Sequence, residues 1–175
     1  MRHEVIHVEH EFRVPVERVF ARLSPYDGLA PLLGMKVEQI AAGEHRPDGV
    51  GAVRRIKARG WAAFEETVTA FREHQLIEYE ITKGGPFTSH HGALRFSRRE
   101  SGHASHLAYE IEIASDIPFV VRIAAADLRR RLPRALAELD EELAALGGPG
   151  QTVTTKSGRR LGVVEPPEGS DVTIS

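Results

Sequence analysis

The sequence predicts an α+β domain: a curved antiparallel sheet of about seven strands wrapped around one long C-terminal helix, with two short helices after the first strand. Three observations predict it. Strand-length segments of alternating or β-rich sequence recur along most of the chain. Once the first strand is past, short turns separate them, which makes an antiparallel meander rather than parallel crossovers. From Pro118 to Leu146 the apolar period becomes helical.

The elements follow in order. Ile6, Val8, His10, Phe12 and Val14 share one face of the first strand, and His7, Glu9, Glu11 and Arg13 the other. Pro15 ends it and opens a helix carrying Val16, Val19, Phe20 and Leu23. Ser24-Pro25 interrupts that helix, and Asp27 to Leu33 is a second short helix or turn. Lys36–Ala41 is a strand, and Pro47-Asp48-Gly49 marks a loop. Val50–Ala58 and Ala62–Phe71 are strands joined by a tight turn at Arg59-Gly60-Trp61. Leu76–Thr82, His90–Ser97 and Ser105–Ala114 complete the sheet, with breaks at Gly84-Gly85-Pro86 and Ser101-Gly102.

In the final helix Leu132, Leu136, Leu139, Leu143 and Leu146 form an apolar stripe. Pro133 is expected to kink or divide that helix, because its ring clashes with the carbonyl of Arg129. Gly147-Gly148-Pro149-Gly150 stops it. The domain is therefore expected over 1–148, followed by a flexible tail over 149–175 that is rich in Gly, Pro, Ser and Thr.

The chain has 175 residues, 41% hydrophobic and 27% charged, which suits one globular domain. With 23 basic against 25 acidic residues, no net field recruits nucleic acid or anionic lipid. The absence of cysteine excludes disulfides and thiolate chemistry and fits a reducing compartment. The alternating N-terminal sequence is unlike a signal peptide, and no stretch approaches the roughly 20 apolar residues of a membrane span. The expectation is a cytoplasmic protein. Gly-x-Gly-x-x-Gly, P-loop, His-Glu-x-x-His and Gly-x-Ser-x-Gly motifs are all missing.

Strand register identifies candidate site residues. If the turn between the third and fourth strands centres on Gly60, Ala58 faces Ala62, Ile56 faces Phe64, Arg54 faces Glu66 and Ala52 faces Val68. That face is apolar except for one cation and one anion directly opposite each other. The pair either fixes the register as a buried ion pair or also presents Arg54 to a ligand carboxylate, phenolate or carbonyl. Extending the pairing places His90 in the layer of Glu66, with Ile81 between them. Tyr79 and Tyr109 fall on the same concave face as Ile77, Leu94, Phe96, Leu107, Ile111 and Phe64, and His10 points inward from the first strand.

The nine histidines do not assemble a metal site: His90 and His91 face opposite sides of a strand, and no pair has chelating spacing on a predicted helix. His10 and His90 are polar core groups or general acid–base candidates. Trp61, the only tryptophan, either caps a ligand entrance or packs on the final helix. Arg129-Arg130-Arg131 reads as a solvated helical turn.

Several local motifs have counterparts in a known superfamily. They are Val14-Pro15-Val16-Glu17-Arg18-Val19-Phe20, Gly49-Val50-Gly51-Ala52-Val53-Arg54-Arg55-Ile56, Phe64-Glu65-Glu66-Thr67-Val68-Thr69-Ala70-Phe71 and Leu76-Ile77-Glu78-Tyr79. With the order of elements, they resemble the START-like or Bet v 1-like (SRPBCC) superfamily over residues 3–146, in particular its bacterial polyketide cyclase/dehydrase and lipid-transport members. Many relatives carry a tryptophan where this chain has Pro31-Leu32-Leu33, which implies a differently shaped entrance.

The resemblance implies a helix-grip fold around an internal cavity for a hydrophobic or aromatic small molecule, whether lipid, polyketide or isoprenoid-like. The residues expected to face that ligand are Arg54, Glu66, Phe64, Tyr79, His90, Tyr109, His10 and Trp61. Three functions stay open: a ligand carrier, a cofactor-independent aromatase/cyclase or dehydratase, and a protein-interaction module with a filled cavity. The expected partner is the small molecule, with no cofactor, metal, nucleic acid or stable membrane association, in a monomer or dimer.

Overall fold

The alternation at the start of the chain produces the strand it predicts. β1 (Arg2–Phe12) buries Ile6, Val8 and Phe12 and turns His7, Glu9 and Glu11 to solvent. This computed structural model describes residues 2–146, so the tail expected over 149–175 lies outside the described residues. Pro15 precedes α1 (Val16–Leu23), which buries Val16, Val19, Phe20 and Leu23.

Residues 26–34 form a run of turns where the sequence allows a second short helix. Four of its hydrogen bonds span only three residues, from the amides of Ala30, Leu32, Leu33 and Gly34 to the carbonyls of Asp27, Leu29, Ala30 and Pro31. Gly28 has a positive φ of 32° and Pro31 lacks an amide proton, so a regular α-helical ladder does not form.

β2 (Lys36–Ala41), β3 (Val53–Lys57), β4 (Phe64–Arg72), β5 (Leu76–Gly84), β6 (Ser89–Arg98) and β7 (Ser105–Ser115) then follow. They form one antiparallel sheet in the order β1-β7-β6-β5-β4-β3-β2. The chain therefore runs as a meander, with β1 closing on the far edge of β7. Gly60, at φ 82°, makes the β3–β4 turn, and the amide of Trp61 donates to the carbonyl of Ala58 at 3.2 Å. Arg54 pairs with Glu66 and Ile56 with Phe64, the register that a turn centred on Gly60 requires.

The β4–β5 ladder shifts register twice, between Glu65 and Glu66 and between Val68 and Ala70. Thr82 is the extra residue of the first bulge and Thr69 that of the second. Bulges bend a strand and increase its twist. The second also returns Phe71 to the inner face, where it meets Phe20 edge-on at 5.4 Å.

α2 (Val120–Ala145) packs on β1 and β7. Leu132, Leu136 and Leu139 are fully buried and Leu143 nearly so. At its C-terminal end, the Arg13 backbone amide and Nε donate to the buried Asp140 carboxylate at 2.9 and 2.8 Å. Arg18 donates to the carbonyl of Leu143 at 2.8 Å, satisfying an acceptor of the last turn. The helix runs undivided through Pro133. Pro133 lies on the exposed face, where water can serve the Arg129 carbonyl that it deprives of a donor.

The opposite end is held less firmly. Phe119, at the N-cap, has φ 66° and makes no side-chain cap, and Ile117, Phe119 and Ile123 are exposed. The three arginines are paired close at hand: Arg129 with Glu4, and Arg130 and Arg131 with Asp127. Among the described residues no helix is long and apolar enough to cross a membrane.

Candidate functional site

The concave face is covered unevenly. Over β1 and β7 the helix contributes leucines, but further along it presents Ala124, Asp127 and Leu128 to a pocket of about 150 Å³. The walls come from β3 to β7, the turns of 26–34 and the β5–β6 loop. Aliphatic residues such as Leu29, Leu33, Ile56, Val68 and Ile113 make most of the surface, and a compact polar cluster lies in its wall.

That cluster is built by strand register. Glu66 on β4 is 2% exposed. Arg54 on β3, directly opposite, donates from Nε to Glu66 Oε2 at 2.9 Å, and its Nη2 makes an ion pair with the same oxygen at 2.9 Å. On the other side His90 Nδ1, from β6, lies 3.1 Å from Glu66 Oε1, at an angle short of a hydrogen bond. Burial alone would push the Glu66 carboxyl up, but Arg54 and His90 hold it below its ordinary range. Burial likewise works against the Arg54 charge, yet Glu66 and the two phenols more than compensate and raise it. The pair is therefore ionised at neutral pH.

The two tyrosines complete the cluster. Tyr79 on β5 and Tyr109 on β7 share a short hydroxyl–hydroxyl hydrogen bond across the intervening strand. Gly92 makes that bridge possible. It stands opposite Tyr79 in the ladder, and a Cβ there would overlap the phenol ring, so the side chain lies flat over β6. The Arg54 guanidinium carbon sits 4.7 Å from the centre of the Tyr79 ring, a cation–π contact. Burial is the main reason that both phenols hold their protons, with Tyr109 raised to about 12 and Tyr79 raised well above its ordinary value. In a hydroxyl pair one O–H is used internally and the other remains able to donate.

Aromatic rings shape the rest. Trp61 stacks on Phe87 at 6.1 Å, and Phe64 and Phe87 each stand 6.0 Å from the His90 ring. Arg54, Phe64, Glu66, Tyr79, His90, Tyr109 and Trp61 thus border one pocket. His10 does not join them. It faces inward from β1 but lies beneath the part of the sheet that α2 covers, with its ring 4.7 Å from Phe12 and its Nε2 sealed without a partner. Burial lowers its pKa, against the pull of Asp140.

Two residues escaped sequence reasoning. Phe87 sits in a loop and has no periodicity to expose it. Gly92 did carry a signal, since a glycine inside a strand marks close approach by another group.

Comparison with known proteins agrees with this architecture. Residues 3–144 match the family described as polyketide cyclase / dehydrase and lipid transport. The chain belongs to that family. It is thereby a member of the START-like, Bet v 1-like superfamily, and its fold is the helix grip. A START superfamily protein from Mycobacterium smegmatis superposes with a TM-score of 0.66 at 16% identity, covering 79% of this chain and 98% of the other. Norcoclaurine synthase from Thalictrum flavum, solved with dopamine and hydroxybenzaldehyde, gives 0.60 at 16% identity, covering 85% and 90%. A protein from Thermus thermophilus gives 0.62 at 18% identity, covering 83% and 100%. At these identities the likeness is one of fold. No curated protein matches the chain by sequence.

Proposed function

We infer that this protein binds a small, mostly apolar molecule, one aromatic ring in size, that carries an oxygen function. The observation behind this reading is the pocket itself: apolar walls around one group of converging polar atoms, the usual construction of a small-molecule site. Its volume of about 150 Å³ narrows the expectation. A cavity of about that size holds benzene, whereas drug-sized ligands occupy roughly 300–1,000 Å³. A long acyl chain or a multi-ring polyketide therefore requires the walls to move.

The oxygen function follows from the donors. The tyrosine pair has an O–H to spare, and Arg54, with Nε and Nη2 on Glu66 and Nη1 on the Tyr26 carbonyl at 3.4 Å, still has N–H groups left over from its five. A carbonyl or phenol oxygen accepts from both. A free carboxylate is less suited, because Glu66 already supplies the anion that Arg54 requires.

Trp61 borders the pocket and is the only tryptophan, so its fluorescence reports on occupancy. Titration with phenol, acetophenone and palmitate, with native mass spectrometry alongside, tests the reading. The single-ring compounds are expected to bind and palmitate to bind at least tenfold more weakly. No response to either ring compound at millimolar concentration overturns it.

A further inference from the structure

His90 is held in a way that simple lining of a pocket does not require. Of its two ring nitrogens only Nδ1 is sealed, and the group facing it is the Glu66 carboxylate at 3.1 Å. A carboxylate only accepts, so the proton of a neutral imidazole belongs on Nδ1 and the lone pair on Nε2. Glu66 cannot swing away, because Arg54 grips its other oxygen. The ring is further confined by Phe64, Tyr79 and Phe87, all with centroids within about 6 Å. An oriented base thus borders the same small space as a phenol pair with a hydrogen to donate.

We propose that this site catalyses proton transfer at the carbon next to a carbonyl, with His90 Nε2 as the base and the Tyr79–Tyr109 pair as donor to the carbonyl oxygen. This rests on the binding reading above and assigns it a chemistry. The α C–H bond breaks and its proton passes to Nε2. The electron pair becomes the C=C of the enolate, and the negative charge settles on the oxygen, which accepts the free tyrosine O–H. Glu66 stabilises the imidazolium that forms. Return of a proton from the imidazolium to carbon regenerates the ketone, so no oxidant, metal or cofactor enters the balance. His90 and the tyrosines are the catalytic residues; Glu66 and Arg54 are positioning residues.

Phenylacetone in D2O tests this directly with the full chain. Loss of its α-CH2 proton signal is followed by NMR, while its shifts and the Trp61 fluorescence report binding separately. Exchange is expected to run at least tenfold above buffer. His90→Gln should remove that excess while phenylacetone still binds. Tyr109→Phe should reduce it severalfold, an independent check should the His90 variant fail to fold. Glu66→Gln should keep exchange but alter its pH profile, which a purely structural role would not do. Phenylacetone bound without enhanced exchange, or enhancement that survives His90→Gln, overturns the proposal and leaves the binding reading intact. If phenylacetone, phenol and acetophenone all fail to bind, both readings fall.

Discussion

The two halves of the concave face are solved in opposite ways. Beneath the C-terminal half of α2, Leu132, Leu136, Leu139 and Leu143 fill the space, and Asp140 and Leu143 are tied through Arg13, just after β1, and through Arg18 of α1. Beneath its N-terminal half the helix presents Ala124 and Leu128, and the sheet answers with ionised and hydroxyl groups around a void. One half supplies burial, and the other holds groups that water would otherwise solvate. The difference lies largely in side-chain volume along a single helix, so the packed half can stabilise what the open half costs.

The comparison can be broken at its polar centre first. Arg54→Ala leaves the Glu66 carboxylate buried without its cation, and a broken buried pair typically costs ~3–5 kcal/mol. Denaturant unfolding measures the loss. In the packed half, Leu136→Ala should cost about 3 kcal/mol by cavity formation, with phenol binding retained in the folded fraction.

A pH titration sharpens the contrast next. Tyr109 ionises at about 12 when folded, against about 10 for an unburied phenol. The folded state thus holds this proton more tightly. The corresponding stability is fully present below pH ~10 and is lost as pH rises through ~12, on the order of 3 kcal/mol. Phenolate absorbance recorded alongside unfolding checks it. Gly92→Ala should then cost ~1–3 kcal/mol by overpacking, and it should break the tyrosine bridge, lowering phenol affinity. The smallest effect on stability is expected from Ala124→Leu, which fills the open half. Its stability should change by under about 1.5 kcal/mol, while Trp61 fluorescence should no longer respond to phenol.

Much of this site was legible because strand arithmetic is local. A glycine turn at Gly60 fixes the facing of Arg54 and Glu66 within a few residues, and alternation carries that facing as far as Val68. Beyond there it fails for an identifiable reason. Unbroken alternation from Phe64 sends Phe71 outward, but the bulge at Thr69 brings it inside against Phe20. His10 shows a different limit. Its inward direction was readable, but which half of the face α2 covers depends on how the helix crosses the sheet. The turns of 26–34 and the unbroken passage of Pro133 likewise depend on surroundings, since the same proline in a buried face would have left a carbonyl without water.

The bulges at Thr69 and Thr82 each add one residue to one strand of the β4–β5 pair. Removing each threonine would erase its own bulge, removing both would leave an uninterrupted β4–β5 ladder, and Phe64, Glu66, Val68, Phe71, Ile77 and Tyr79 would all keep their facing. Only the bend would go. Curvature and side-chain orientation are thus encoded by different residues. Insertions and deletions at these two positions can retune the depth of the concavity, and hence the size of molecule admitted, without rewriting the chemistry inside it.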